Sequence, residues 1–306
     1  MAISPNLRAA AFMSISMFGF TINDALTKSL TDELNAGQIM LVRGAFATLF
    51  VALLAWQQGA LANWRSATHP MVLTRAFCEL FATIAFLTAL AHMPLANVSA
   101  VLQSLPLAVT MGAALVFGEP VGWRRWIAIA IGFLGVMIIV RPGFTGFSVY
   151  SLLALLCVVL CAVRDLATRQ IPHDIPTLIP SVVTAGSVAA FGGLLVWPLG
   201  GWTPMDTGET FRLFLAAMML IPGYVFIILA MRTGEVSFVA PFRYTALLWA
   251  ILIGIFALGE FPDAFMLAGS LLVVGSGLFT LYRESVRGKR GPIRDTASDS
   301  PAPDGA

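Results

Sequence analysis

Charge is scarce in this sequence. Of its 306 residues only 11% are Asp, Glu, Lys or Arg, while 58% are hydrophobic. A soluble domain carries roughly 25% charged and about 45–50% apolar residues. No water-soluble fold of this length could cover itself with so little charge. Mean hydropathy is +0.86, and the chain reads as an all-α integral membrane protein. Net charge is only +2 and no basic patch interleaves with aromatics, which excludes a nucleic-acid surface. Cysteine is nearly absent too: Cys78, Cys157 and Cys161 all sit in apolar runs. This odd, embedded set is no disulfide framework and lacks zinc-site spacing. Cys157 and Cys161 share a helix face as small packing residues. Enzyme signatures are missing as well. There is no G-x-S-x-G, phosphate-binding glycine loop, H-E-x-x-H or close His/Asp cluster, and His92 and His173 fall in loops. No catalytic residue, metal or cofactor is expected. Without a nucleotide-binding domain the chain is no primary pump by itself.

What the sequence does have is long apolar runs. About 20 mainly apolar residues span the hydrocarbon of a bilayer. Ten stretches qualify: 7–30, 37–56, 71–92, 97–117, 123–140, 147–170, 177–197, 210–231, 237–258 and 263–282. Short turns such as "GEPVG", "RPGFTG" and "GEFPD" connect them. No small-residue cleavage site precedes Asn23, so the first run reads as a membrane helix and not a cleaved signal. Residues 285–306 are rich in Pro, Ser and Asp and are expected to form a disordered cytoplasmic tail. With the N-terminus cytoplasmic, Arg8, Arg65, Arg124, Arg125, Arg169, Arg232 and the five basic residues from Arg283 to Arg294 fall inside. Only Lys28, Arg141 and Arg212 fall outside, a bias that puts both termini in the cytoplasm. Every tryptophan but Trp249 lies near a helix end, as interfacial anchors do.

The run also repeats. "NDALTK" at Asn23–Lys28 is echoed 141 residues later by "RDLATR" at Arg164–Arg169. The same shift carries Gly118-Glu119 onto Gly259-Glu260. Around the fourth and ninth runs the best local shift is nearer 138. Two matches at one offset imply a duplicated five-helix unit, residues 1–143 and 144–284. An odd number of spans inverts the second copy, the plan of secondary transporters with a substrate site at the repeat interface.

This arrangement resembles the drug/metabolite transporter superfamily, EamA type. The marks are Lys28 and Arg169 ending the first and sixth helices, the two Gly-Glu turns, and "GFLGVMIIVRPG" at Gly132–Gly143. The resemblance implies a carrier whose first, third, fourth, sixth, eighth and ninth helices line a central cavity, with the fifth and tenth peripheral. The ninth helix departs from the commoner pattern: Leu247 stands where a proline would match Pro106. With Arg243 and Tyr244, this is similar to bacterial carriers of vitamins and nucleotide-like metabolites, of the riboflavin and S-adenosylmethionine uptake type. The expected partners are a small-molecule substrate and the lipid bilayer, with a homodimer left open.

Ionisable groups inside spans mark cavities or partners. At 1.5 Å per residue, Asp24 and Arg43 lie at similar depth, roughly 9 Å in from the same end, and are expected to pair. Lys28, one turn further out, can snorkel. Arg75, Glu79, Arg164, Asp165 and Arg243 lie in the inner, cytoplasmic half of the membrane. Arg243, Tyr244, Trp249, Glu79, Gln103 and Ser104 are the candidate substrate contacts. A cation beside aromatic rings can grip an anionic or ring-bearing solute. Asp24, Arg43, Lys28, Asp165, Arg169 and Arg75 are candidates for ion coupling or gating. The leading expectation is uptake of riboflavin or a similar solute by alternating access; the alternatives are a proton-coupled metabolite exporter and, from another class, a membrane-embedded enzyme acting on lipid. A sensor or scaffold with no transport is a third class, weakened by a tail too short and polar for a signalling domain.

Overall fold

The computed structural model describes residues 4–119, 121–142, 148–172 and 174–288. The expected boundary at 143/144, His173 and the tail from residue 289 lie outside the described residues. Among these residues every regular element is helical, and ten helices are long and apolar enough to cross a membrane. They are α1 (Pro5–Lys28), α2 (Ala36–Gln57), α3 (Pro70–His92), α4 (Leu95–Phe117), α5 (Trp123–Val140), α6 (Tyr150–Arg169), α7 (Leu178–Val196), α8 (Thr207–Thr233), α9 (Ala240–Leu258) and α10 (Ala264–Gly288). The last helix thus runs through 285–288, residues that the sequence assigns to the tail.

Local chemistry sets the helix ends. Ser4 accepts from the Leu7 N–H with Pro5 as first helical residue, and Asn35 accepts from the Gln38 N–H. Asp206 and Glu209 form a reciprocal capping box at the start of α8. Gly118 and Gly259 stop α4 and α9 at φ of 65° and 68°, a left-handed conformation open to glycine at little cost.

Two spans are broken. α4 is interrupted at Gln103 and Ser104, just before Pro106, which has no N–H to continue the ladder. α9 opens with a 3-10 turn over Ala240–Tyr244, continues as α-helix, and ends in a π-turn over Gly254–Leu258. Discontinuous spans of this kind line binding sites, because their freed backbone groups need polar surroundings.

Several helix ends repeat at 141 residues: Lys28 and Arg169 end α1 and α6, His92 and Thr233 end α3 and α8, Phe117 and Leu258 end α4 and α9. Trp123 and Ala264 begin α5 and α10 at the same offset. Pro106 and Pro241 fall at unequal points of the two broken spans, and α4 runs over 23 residues against 19 for α9. Packing has the same symmetry. α1 lies on α8 as α6 lies on α3, while α2 packs on α7, α4 on α9 and α5 on α10. Exchanging the halves leaves this pattern unchanged. At the α5–α10 crossing a Cβ on Gly135 would come within 2.7 Å of the Gly269 carbonyl, so the two backbones approach as only small residues allow.

Candidate functional site

A cluster of ionisable side chains lies between the halves. On α6, the Arg164 Nη1 donates to Glu79 Oε2 of α3 at 2.6 Å, and its Nε donates to Asp165 Oδ1 at 2.8 Å. The Arg75 Nη1, one turn from Glu79, donates to Thr168 Oγ1 at 2.6 Å. Nearby, Arg43 of α2 reaches Asn23 Oδ1 at 3.5 Å and Thr27 Oγ1 at 3.4 Å. Asn23 Nδ2 donates to Asp24 Oδ1 at 2.9 Å. Asp24, Glu79 and Tyr224 all lie in electrostatic range of Arg43, and Tyr224 in turn feels Glu79, Arg164, Arg75 and Arg43. Charges on α1, α2, α3 and α6 therefore face one region beside Tyr224 of α8. Asp24, Arg43, Arg75 and Glu79 are only partly buried. Ionised groups exposed to lipid at this depth would be costly, so their open side faces a polar space.

Two further ion pairs stand at opposite ends of the bundle, and each joins one half to the other. Lys28 Nζ contacts Glu260 Oε1 at 3.1 Å and donates to the carbonyls of Leu90 and Met93 at 2.8 and 2.7 Å. Glu260 Oε2 accepts from the Leu95 N–H at 2.7 Å. Arg169 Nη2 donates to Glu119 Oε1 at 2.6 Å, with Phe117 beneath the guanidinium. Lys28 is equivalent to Arg169 and Glu119 to Glu260 at the 141-residue offset. The Gly-Glu turns place both carboxylates alike. The Glu119 N–H bonds the Ala113 carbonyl and the Glu260 N–H bonds the Gly254 carbonyl, positions again 141 apart. The pairs differ in burial: Lys28 and Glu260 are 13% and 19% exposed, Arg169 and Glu119 52% and 45%.

Several expected contacts are arranged differently. Asp24 and Arg43 do not meet directly: the Asn23 amide stands between them, giving its N–H to the carboxylate and its oxygen to the guanidinium. Glu79 pairs with Arg164. Among the described residues the Arg243 side chain has no hydrogen-bond or ion-pair partner, and the residue is exposed. The Tyr244 hydroxyl is buried against Gly277 of α10, away from the charged cluster. Trp249 donates to the Ser14 carbonyl at 3.2 Å and packs on Phe18. Ser104 is buried and donates to Val101 O within its own helix, while Gln103 sits at the break in α4. Lys28 does not snorkel; it is held inside by three acceptors.

Sequence reading gave Glu119 and Glu260 no partners, and passed over Asn23 and Thr27 as ligands. The signal was present in the repeat. "N" of NDALTK aligns with "R" of RDLATR, so Asn23 and Arg164 take equivalent places and each touches the neighbouring aspartate. Among the described residues no group of three His, Cys, Asp or Glu side chains could hold a metal ion.

Residues 7–141 match the EamA-like transporter family. A riboflavin transporter of Rhizobium johnstonii is 28% identical over 95% of this chain and 97% of its own. A pseudopaline exporter of Pseudomonas aeruginosa is 27% identical over 85% and 91%, and an S-adenosylmethionine uptake transporter of Rickettsia prowazekii 21% identical over 92% and 95%. One crystal structure superposes on 91% of this chain and 98% of its own with a TM-score of 0.63 at 17% identity, a likeness of fold.

Proposed function

We propose that this chain, whose residues 7–141 match the EamA-like transporter family, moves a small organic metabolite across the cytoplasmic membrane by alternating access between its two halves. The observation that carries this is the pair of equivalent but unequally buried ties, Lys28–Glu260 and Arg169–Glu119. A carrier exposes its site to one side at a time, so symmetry-related closures must differ in any one state. Here the Lys28 end is shut and the Arg169 end is loosened. By the distribution of basic residues the loosened end is cytoplasmic, as are both termini. Reporter fusions after Arg65 should read as cytoplasmic and a fusion after Gly201 as periplasmic; a periplasmic Arg65 reverses the assignment.

The substrate sits among the charges between the halves. Asp24, Glu79 and Asp165 balance Arg43, Arg75 and Arg164, and Arg243 on the broken ninth span supplies one cation beyond that balance. Such a site suits a polar ring-bearing solute with hydrogen-bonding edges. Uptake of riboflavin or a similar vitamin- or nucleotide-like solute is the leading reading, supported by the riboflavin and S-adenosylmethionine carriers among its relatives. Export is the second reading, favoured by the pseudopaline exporter. The test is growth of a riboflavin auxotroph lacking its own importer at limiting vitamin, beside uptake of labelled riboflavin into proteoliposomes. Growth with uptake supports import; neither growth nor uptake, in a protein shown to be in the membrane, removes riboflavin.

Arg243→Ala sharpens the site. Because the guanidinium has no protein partner among the described residues, its removal strands no buried carboxylate. Transport should fall at least about tenfold, one charge-assisted contact being worth roughly 1.5–3 kcal/mol, while the melting temperature stays put. Wild-type transport in this variant removes Arg243 from the site.

A further inference from the structure

On the flank away from the charged cluster, α5 and α10 leave an apolar groove of about 490 Å³. Ile127 and Ile131 form one wall, Leu271 and Phe279 the other. Gly275 lies between, and a Cβ there would meet nothing within 4 Å. At one end the groove opens beside a cavity of about 100 Å³ lined by Trp123, Arg124, Arg125 and Arg283, with Trp123 and Arg124 shared by both. From Trp123 to Ile131 the wall runs roughly 12 Å at 1.5 Å per residue. That is close to one leaflet of a hydrocarbon core about 30 Å thick.

An apolar slot one leaflet deep with a cationic mouth has the shape and charge of a single anionic lipid. The mouth also holds the start of α5, where Gly122 has no side chain to cap the first-turn N–H groups. Those donors and three guanidiniums suit a phosphate, and the exposed Trp123 sits at interfacial depth. A second copy of the chain fits less well. Docked in the same orientation, it would set its own Arg124, Arg125 and Arg283 against these, like charge facing like. We propose that the α5–α10 groove binds one anionic phospholipid, its acyl chain along Ile127 to Leu271 and its phosphate among Arg124, Arg125 and Arg283.

The test uses the full chain in nanodiscs and native mass spectrometry with phosphatidylglycerol or phosphatidylcholine. Wild type should retain phosphatidylglycerol preferentially. Arg124→Ala with Arg283→Ala should weaken that retention about 30-fold, from roughly fivefold per basic residue near a membrane surface. Gly275→Phe, which fills the slot and leaves the mouth intact, should remove the bound lipid. Equal melting temperatures in phosphatidylcholine alone show that both variants fold. Equal retention of the two lipids by wild type overturns the proposal, as does an unchanged preference in both variants. If Gly275→Phe instead converts a dimer to a monomer with lipid preference intact, the groove is a subunit interface and the lipid site is wrong.

Discussion

The two ends of this molecule begin from equivalent residues and finish differently. At one, the Lys28 ammonium draws together α1, the α3–α4 corner and the end of α9, with Glu260 accepting a backbone N–H from the same corner. At the other, Arg169 holds Glu119 alone. It makes no bond to the carbonyls of Met231 or Gly234, which stand 141 residues on from Leu90 and Met93. A second tie, Arg141 to Asp263, joins α5 and α10 at the Lys28 end. The difference lies in what surrounds each charge, and hence in what breaking it costs.

The largest contrast is expected at Lys28. Lys28→Ala leaves Glu260 mostly buried without its cation and frees two carbonyls, a loss of about 3–5 kcal/mol for a broken buried pair. Thermal unfolding in detergent should show it as a marked fall in melting temperature. Lys28→Ala with Glu260→Ala should recover part of that fall, since no carboxylate is stranded. Arg169→Ala should cost far less, roughly 0.2–1 kcal/mol for a half-exposed pair, while still lowering transport because the closing contact at that end is lost. Equal destabilisation by Lys28→Ala and Arg169→Ala would break the comparison.

The smallest effect belongs to Asp263, outside the spans. Burial acts to raise its carboxyl, but the Met266 N–H and the Arg141 guanidinium outweigh this and hold it below the usual carboxylate range. A depressed carboxyl stabilises above its unfolded value of about 3.9 and loses that contribution as pH falls through the lower folded value. Asp263→Asn should therefore melt slightly below wild type near neutral pH, and the gap should close below roughly pH 4. A gap that persists in acid would mean that Asp263 acts through shape alone.

Much of this was legible in the sequence. The ten spans follow from hydropathy, and α5 runs over the same residues, Trp123–Val140, in both readings. The 141-residue offset of the two short matches also relates the ends of α1 and α6, of α3 and α8, and of α4 and α9. Depth was legible as well: Asp24 and Arg43 do lie near one another. What depth cannot give is azimuth. Which way Arg243 or Tyr244 points depends on a 3-10 turn that departs from the 100° step of an α-helix. An adjacent amide can also take the place of a direct ion pair, as Asn23 does. The cross-half pairs were hidden for another reason: Lys28 and Glu260 are 232 positions apart, and only the folded halves bring them together.

The exchange of partners across the halves makes neither half self-sufficient. One half alone carries a base at the end of its first helix, Lys28, and a carboxylate after its fourth, Glu119. Neither satisfies the other; each finds its counterpart in the second half. Two identical copies of such a half, set antiparallel, would complete both contacts at once, as a self-complementary two-fold interface does. Co-expression of the two halves as separate chains should therefore rebuild both ties.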